Sequence, residues 1–150
     1  MINILMVCLG NICRSPLAEG ILKSKLPKTL FFVDSAGTSN YHIGELPDIR
    51  SIAIAKKYNI DITNQRGRQF VVSDFDTFDY IYVMDTSNLQ NIVKLARNSD
   101  DISKVKLILK ELSDFTICDV PDPYYGGDHG FQNVFELLEL ASNTIAHKLL

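Results

Sequence analysis

Cys8-Leu9-Gly10-Asn11-Ile12-Cys13-Arg14-Ser15 sets a cysteine at the end of an apolar run, an arginine after five intervening residues, and a serine beside it. Each residue type has a chemical reason to stand there. A tight loop between a strand and a helix turns successive backbone N–H groups inward and makes a nest for an anion. The start of the following helix adds the positive end of its dipole. Arg14 can fork two donors onto two oxygens of a phosphoryl group. Such a field favours the thiolate of Cys8, which is a strong nucleophile where a thiol is not. Gly10 lets the backbone approach the anion closely. The chemistry is phosphoryl transfer to sulfur. The bland alternative is a buried strand-end cysteine next to a surface arginine.

The elements that must position this loop are legible around it. Ile2 to Val7 is a short continuous apolar run, as in a strand buried on both faces. Ser15-Pro16 predicts a helix start, Ser at the N-cap and Pro at the first helical position. Leu17, Ala18, Ile21, Leu22 and Leu26 form its apolar face, Glu19 and Lys23 pair four apart on the other side, and Pro27 ends it. Further strands are expected at Leu30 to Val33, Tyr80 to Met84 and Val105 to Leu109. Helices are expected at Ile49 to Tyr58 after Pro47-Asp48, in a short piece within Phe70 to Thr77, from Ser87 to Arg97, and from Phe131 to Leu149. Ala36 to Leu46, Thr63 to Gln69 and Ser113 to Gly130 read as loops. The alternation predicts an α/β fold: one domain over 1–150, a four-stranded parallel sheet in the order 2-1-3-4, helices on both faces, and the phosphate loop after strand 1. Ligands of such sheets bind outside the C-terminal ends of the strands, where the long loops lie.

Composition excludes several classes. With 150 residues, 46 % hydrophobic and 22 % charged, the chain can bury a core without staples. A net charge of −3 gives no general drive toward nucleic acid or an anionic membrane, and no apolar run approaches a bilayer span. Met1 to Val7 lacks the basic flank and small-residue cleavage site of a signal peptide. Three cysteines, an odd number, argue against a disulfide scaffold and for a reducing, cytoplasmic location. His42, His129 and His147 show no ligand spacing, so neither metal nor cofactor is expected.

With Pro16 included, the Cys8–Ser15 segment resembles the signature loop of the low-molecular-weight protein tyrosine phosphatases. Asp122-Pro123-Tyr124-Tyr125-Gly126 is similar to the family's general-acid loop. Phe78-Asp79-Tyr80-Ile81 and Met84-Asp85-Thr86-Ser87-Asn88-Leu89 resemble its third strand and the turn after it. Asp34-Ser35-Ala36-Gly37 and the loop holding Gly44 resemble the segment beside the cradle. The likeness spans nearly the whole chain, with the motifs in order.

The resemblance implies a protein-tyrosine-phosphatase. Cys8 would be the nucleophile, Arg14 would bind the phosphoryl group, and Asp122 would act as general acid and then as general base. Residues 9–15 (Leu9, Gly10, Asn11, Ile12, Cys13, Arg14 and Ser15) would hold the phosphate. Asn11 would shape the loop through a hydrogen bond to Ser35, and Ser15 would help the sulfur leave. Cys13 would form a reversible disulfide with Cys8. Tyr41 on one side and Tyr124 and Tyr125 on the other would wall a cleft floored by Leu9, too deep for phosphoserine to reach the sulfur. Asp85 would order a strand end. Partners would be tyrosine-phosphorylated proteins, with inorganic phosphate or a similar oxyanion in the site, and the chain a monomer or weak dimer. One departure stands out. Many relatives carry a histidine where Gln65 precedes Arg66-Gly67-Arg68-Gln69; glutamine can donate the same bond into the serine network but cannot be charged.

Related chemistries fit less well. Arsenate reduction on this fold needs further cysteines near the third strand, and residues 70 to 100 contain none. Phosphoarginine specificity goes with a small threonine where Ile12 stands. A phosphoryl carrier would keep its phosphocysteine and lack the Asp122 loop. An idle phosphotyrosine-binding module would not need Cys8, Arg14 and Asp122 together.

Overall fold

Ile2–Cys8 extends as β1, and its five residues from Ile4 onward are all buried. Its side chains alternate between two cores. Ile4, Met6 and Cys8 enter one, Leu5 and Val7 the other. A strand covered on both faces needs no polar residue over that stretch, which is why the run reads as continuously apolar. The computed structural model describes residues 1–112 and 117–150, without the side chains of Tyr125 and Asp128.

The sheet is parallel, in the order β2-β1-β3-β4, with β2 at Phe31–Gly37, β3 at Tyr80–Val83 and β4 at Val105–Leu107. The first core lies under α1 (Arg14–Lys23), α2 (Ile49–Lys57) and α6 (Gly130–Leu149). The second lies under α3 (Asp74–Thr77) and α4 (Thr86–Val93). This is the expected α/β architecture. Cys8 pairs with Gly37 at the last rung of β1 and β2, so the sulfur sits where the strands end.

Several local expectations change. β2 runs on through Asp34, Ser35, Ala36 and Gly37, residues that read partly as loop. They are small because they pass under the cradle: a Cβ on Gly37 would stand 2.8 Å from the Leu9 carbonyl oxygen and 3.1 Å from the Gly10 carbonyl carbon. The first helix starts at Arg14, one residue before the expected cap. Cys13 is its N-cap and supplies no capping bond, and the Ser15 hydroxyl lies against Cys8 Sγ and Asn11. A further helix, α5 (Ser99–Ser103), escapes the periodicity reading because it is polar. Asn98 caps it and Arg97 pairs with its Asp101. The long C-terminal loop holds 3₁₀ turns at Pro123–Tyr125 and Gly127–His129. Among the described residues, no helix is long and apolar enough to cross a membrane.

Candidate active site

The loop from Cys8 to Arg14 is held with its carbonyls outward. The Cys8 and Leu9 carbonyls accept from Thr38 N and Ser39 N, each at 2.9 Å, and the Ile12 carbonyl from Asp48 N at 2.7 Å. Ser51 Oγ donates to the Cys13 carbonyl at 3.3 Å. Carbonyls spent outward leave the N–H groups to face the hollow, the arrangement an anion requires. The Asn11 N–H already points at Cys8 Sγ, 3.3 Å away. The hollow is small, about 90 Å³, and is lined by Cys8, Leu9, Gly10, Ile12, Cys13 and Arg14 from the loop, with Tyr41, His42, Asp122, Pro123 and Tyr124 above it. Four larger hollows among the described residues lie elsewhere and are not lined by Cys8.

Asn11 adopts a left-handed backbone, φ 58°. Short polar side chains tolerate that region when they bond locally. Its Oδ1 accepts from the Arg68 backbone N–H at 3.0 Å, and since that N–H can only donate, the amide orientation is fixed. Asn11 Nδ2 therefore donates to Ser15 Oγ at 2.8 Å and to Ser35 Oγ at 2.9 Å. Each serine then has its own proton to place. Ser35 donates to Glu19 Oε1 at 2.7 Å. Ser15 Oγ lies 3.0 Å from Cys8 Sγ, within reach for its hydroxyl to donate to a thiolate there. The bonds thus allow two donors, the Asn11 N–H and the Ser15 O–H, to converge on one sulfur. That is how a thiolate is stabilised.

Glu19 was expected on a solvated face, yet it is 3 % exposed. Nearly the whole of α1 is enclosed between the sheet, α2 and α6, so the amphipathic reading fails there. Burial pushes the Glu19 carboxyl above its ordinary value, against hydrogen bonds from Lys23 and Ser35 that hold it down. Lys23 Nζ reaches Glu19 Oε2 at 2.6 Å while keeping a partly exposed end. Gln65, expected to donate into the serine network, does not. Its Nε2 donates to the Pro16 carbonyl at 3.0 Å, and its buried Oε1 has no partner among the described residues. The acceptor behind Ser35 is Glu19, so no glutamine is needed at that point.

Arg14 is buried. Its Nη1 donates to Asp85 Oδ2 at 2.7 Å and to the Val120 carbonyl at 2.9 Å. Asp85 also caps α4 by accepting from Asn88 N at 2.8 Å, so one carboxylate joins the end of β3 to the guanidinium. Holding Nη1 orients the planar group and presents its other edge. Asp122 Oδ1 accepts from Tyr124 N at 3.0 Å, a turn that fixes the carboxyl above the hollow. Its neighbour Asp119 is drawn away, accepting from both Thr86 N and Thr86 Oγ1. Tyr41 and Tyr124 both line the hollow and are 73 % and 50 % exposed. Leu9, 46 % exposed, also lines the hollow. The Tyr125 side chain lies outside the described residues. Cys13 is buried, and burial, with the Asp48 charge nearby, pushes its thiol up to about 12. Among the described residues, no group of His, Cys, Asp and Glu is placed to hold a metal ion.

Residues 3–150 match the model of the low molecular weight phosphotyrosine protein phosphatases. The chain belongs to this family. A low molecular weight phosphotyrosine protein phosphatase of Schizosaccharomyces pombe is 39 % identical over 148 residues, covering 95 % of this chain and 94 % of that one. The solved protein tyrosine phosphatase of Entamoeba histolytica, with Hepes in its active site, superposes with a TM-score of 0.91 at 35 % identity, covering 99 % and 97 % of the two chains. A Drosophila arginine phosphatase superposes with a TM-score of 0.89 at 30 % identity, covering 97 % and 96 %. As a low molecular weight protein-tyrosine phosphatase, the chain is a hydrolase.

Three features of the site lie outside the motif residues. Glu19 and Lys23 are visible in the sequence only as a spacing that usually marks a solvated pair. His42 packs its ring against the bare face of Gly10, where a Cβ would stand 3.0 Å from its Cδ2, and bonds Glu45 at 2.7 Å. Asp48 reads in the sequence as a residue before a helix. In the structure it also bonds the Tyr124 hydroxyl.

Proposed function

We propose that the chain hydrolyses phosphotyrosine through a covalent cysteinyl-phosphate on Cys8. The observation that carries this reading is the convergence of the Asn11 N–H and the Ser15 hydroxyl on Cys8 Sγ, at the base of a small hollow shared with Arg14 and Asp122. In the first step the Cys8 thiolate attacks phosphorus and a P–S bond forms. The P–O bond to the aryl group breaks, its electron pair goes to the phenolic oxygen, and that oxygen takes the Asp122 proton. Arg14 and the cradle N–H groups stabilise charge on the equatorial oxygens, most strongly in the transition state. In the second step Asp122, now a carboxylate, takes a proton from water as the water attacks phosphorus. The P–S pair returns to sulfur, where the Ser15 hydroxyl and the Asn11 N–H receive the developing charge. No cofactor enters either step.

The tyrosine preference is supported by the cleft. Tyr41 and Tyr124 both line the hollow and offer aromatic faces to an aryl ring, and Ile12 adds apolar surface within. Tyrosine-phosphorylated proteins are the proposed substrates, with phosphate or a similar oxyanion in the cradle between turnovers. The arginine phosphatase among the relatives makes phosphoarginine the sharp alternative. Steady-state hydrolysis of matched phosphotyrosine, phosphoserine and phosphoarginine peptides by wild type, Cys8→Ser and Asp122→Ala tests the reading. Phosphotyrosine is expected to dominate, Cys8→Ser to be inactive and Asp122→Ala to be slowed by about 10²-fold or more. Preferred hydrolysis of phosphoarginine would overturn the substrate assignment, and an active Cys8→Ser would overturn the mechanism.

A further inference from the structure

We propose that Asp48 and Arg50 are positioning residues that latch the loop of Asp122 over the phosphate cradle; this rests on the reading of Asp122 as the general acid. The latch is a continuous set of contacts from one loop to the other. Asp48 N donates to the Ile12 carbonyl at 2.7 Å, which seats Asp48 on the outer side of the cradle. The Tyr124 hydroxyl donates to Asp48 Oδ2 at 2.9 Å. Tyr124 N in turn donates to Asp122 Oδ1 at 3.0 Å. Asp122 is thus registered to the cradle through three successive hydrogen bonds.

Arg50 makes the latch rigid. Its Nε and Nη2 fork onto Asp48 Oδ1 and Oδ2, each at 3.0 Å, the planar pairing that only a guanidinium offers. Its Cζ lies 4.6 Å from the ring centroid of Tyr124 and 4.6 Å from that of Phe131, so the cation touches both the acid loop and the start of α6. The two rings meet edge to face, 6.4 Å between centroids. On the far side, Gly126 and Gly130 close against Pro123: a Cβ on Gly130 would stand 2.5 Å from the Pro123 carbonyl oxygen. The loop therefore has a close-packed hinge on one side and a polar catch on the other. Asp48 is held below its ordinary value first by its hydrogen bond to Arg50, as expected of a carboxylate engaged by its partner.

A latch that aligns the acid predicts a split by leaving group. A substrate whose leaving group needs a proton should suffer when the latch is broken, and one whose leaving group departs unaided should not. Phenyl phosphate and 2,4-dinitrophenyl phosphate are such a pair, and kcat/KM reports the step in which the leaving group departs. In Arg50→Ala, kcat/KM for phenyl phosphate should fall roughly tenfold, while that for 2,4-dinitrophenyl phosphate changes by less than about twofold. Asp48→Asn keeps the size of the side chain and removes the charge onto which Arg50 forks, so it serves as the second variant should Arg50→Ala fold poorly, and it should show the same split. An equal fall on both esters, or no fall on phenyl phosphate, overturns the latch. Wild type that hydrolyses neither ester would instead overturn the proposed function.

Discussion

Replacing Glu19 by Gln should slow the enzyme without destabilising it. Glu19 accepts a hydrogen bond from the Ser35 hydroxyl, and Ser35 and Ser15 share the Asn11 amide, so the carboxylate anchors the far end of the network that reaches Cys8 Sγ. A hydrogen bond to a charged group is worth about 1.5–3 kcal/mol and one to a neutral group about 0.5–1.5, so roughly 1 kcal/mol of orienting energy is lost. If that loss falls on the transition state, kcat/KM for p-nitrophenyl phosphate drops about fivefold. Stability should move the other way with pH. The folded carboxyl titrates above its ordinary 4.5, mainly through burial. Between that value and its folded one the native state holds more protons than the unfolded state, so stability falls as pH rises through this window. Gln does not titrate. The melting temperature of Glu19→Gln should therefore gain on wild type from about pH 4.5 upward and level off above the folded value. Lys23, its side chain 44 % exposed, resolvates when its partner is lost. Unchanged kcat/KM in the variant would show that the Glu19–Lys23 pair only packs α1, and would refute the positioning argument.

Other expectations follow from the same geometry. Ser15→Ala removes the hydroxyl that meets Cys8 Sγ at 3.0 Å, so phosphocysteine should accumulate and rapid mixing should show a larger burst of p-nitrophenol than in wild type. Gly37→Ala forces a methyl against the Leu9 carbonyl and should displace the cradle, lowering kcat/KM by about tenfold or more while the fold, read by circular dichroism, persists. Mild peroxide should convert Cys8 to a sulfenic acid, which Cys13 then attacks with loss of water to give a Cys8–Cys13 disulfide. Peptide mapping that finds only Cys8 sulfinate would exclude it.

The cradle is the most legible part of the chain because its chemistry is local: eight consecutive residues hold the proposed nucleophile, the guanidinium and a cap-like serine, and the strand before them is plainly apolar. What escapes a linear reading is long-range. Ser15 has the look of an N-cap, but a sulfur at the end of β1 competes for its hydroxyl, and the helix begins a residue early. Glu19 sits where a solvent-facing stripe is expected, but three neighbouring elements enclose α1, and hydrogen bonds from Ser35 on β2 and from Lys23 make its burial tolerable. Gln65 stands where a histidine would have joined the serine network, and no spacing shows that its amide turns to the Pro16 carbonyl. The reach of β2 to Gly37 is hidden because small residues pass for a turn until the cradle above them is known.

The account depends most on phosphorus becoming bonded to the sulfur of Cys8. Asp122→Ala, slow in the second step, should be mixed with p-nitrophenyl phosphate, quenched within one turnover, digested and mapped by mass spectrometry under conditions that preserve thiophosphate esters. The account predicts one phosphoryl group on the peptide containing Cys8, and none in Cys8→Ser treated alike. Product formed with no phosphorylated peptide, or with phosphate on any other side chain, would contradict it.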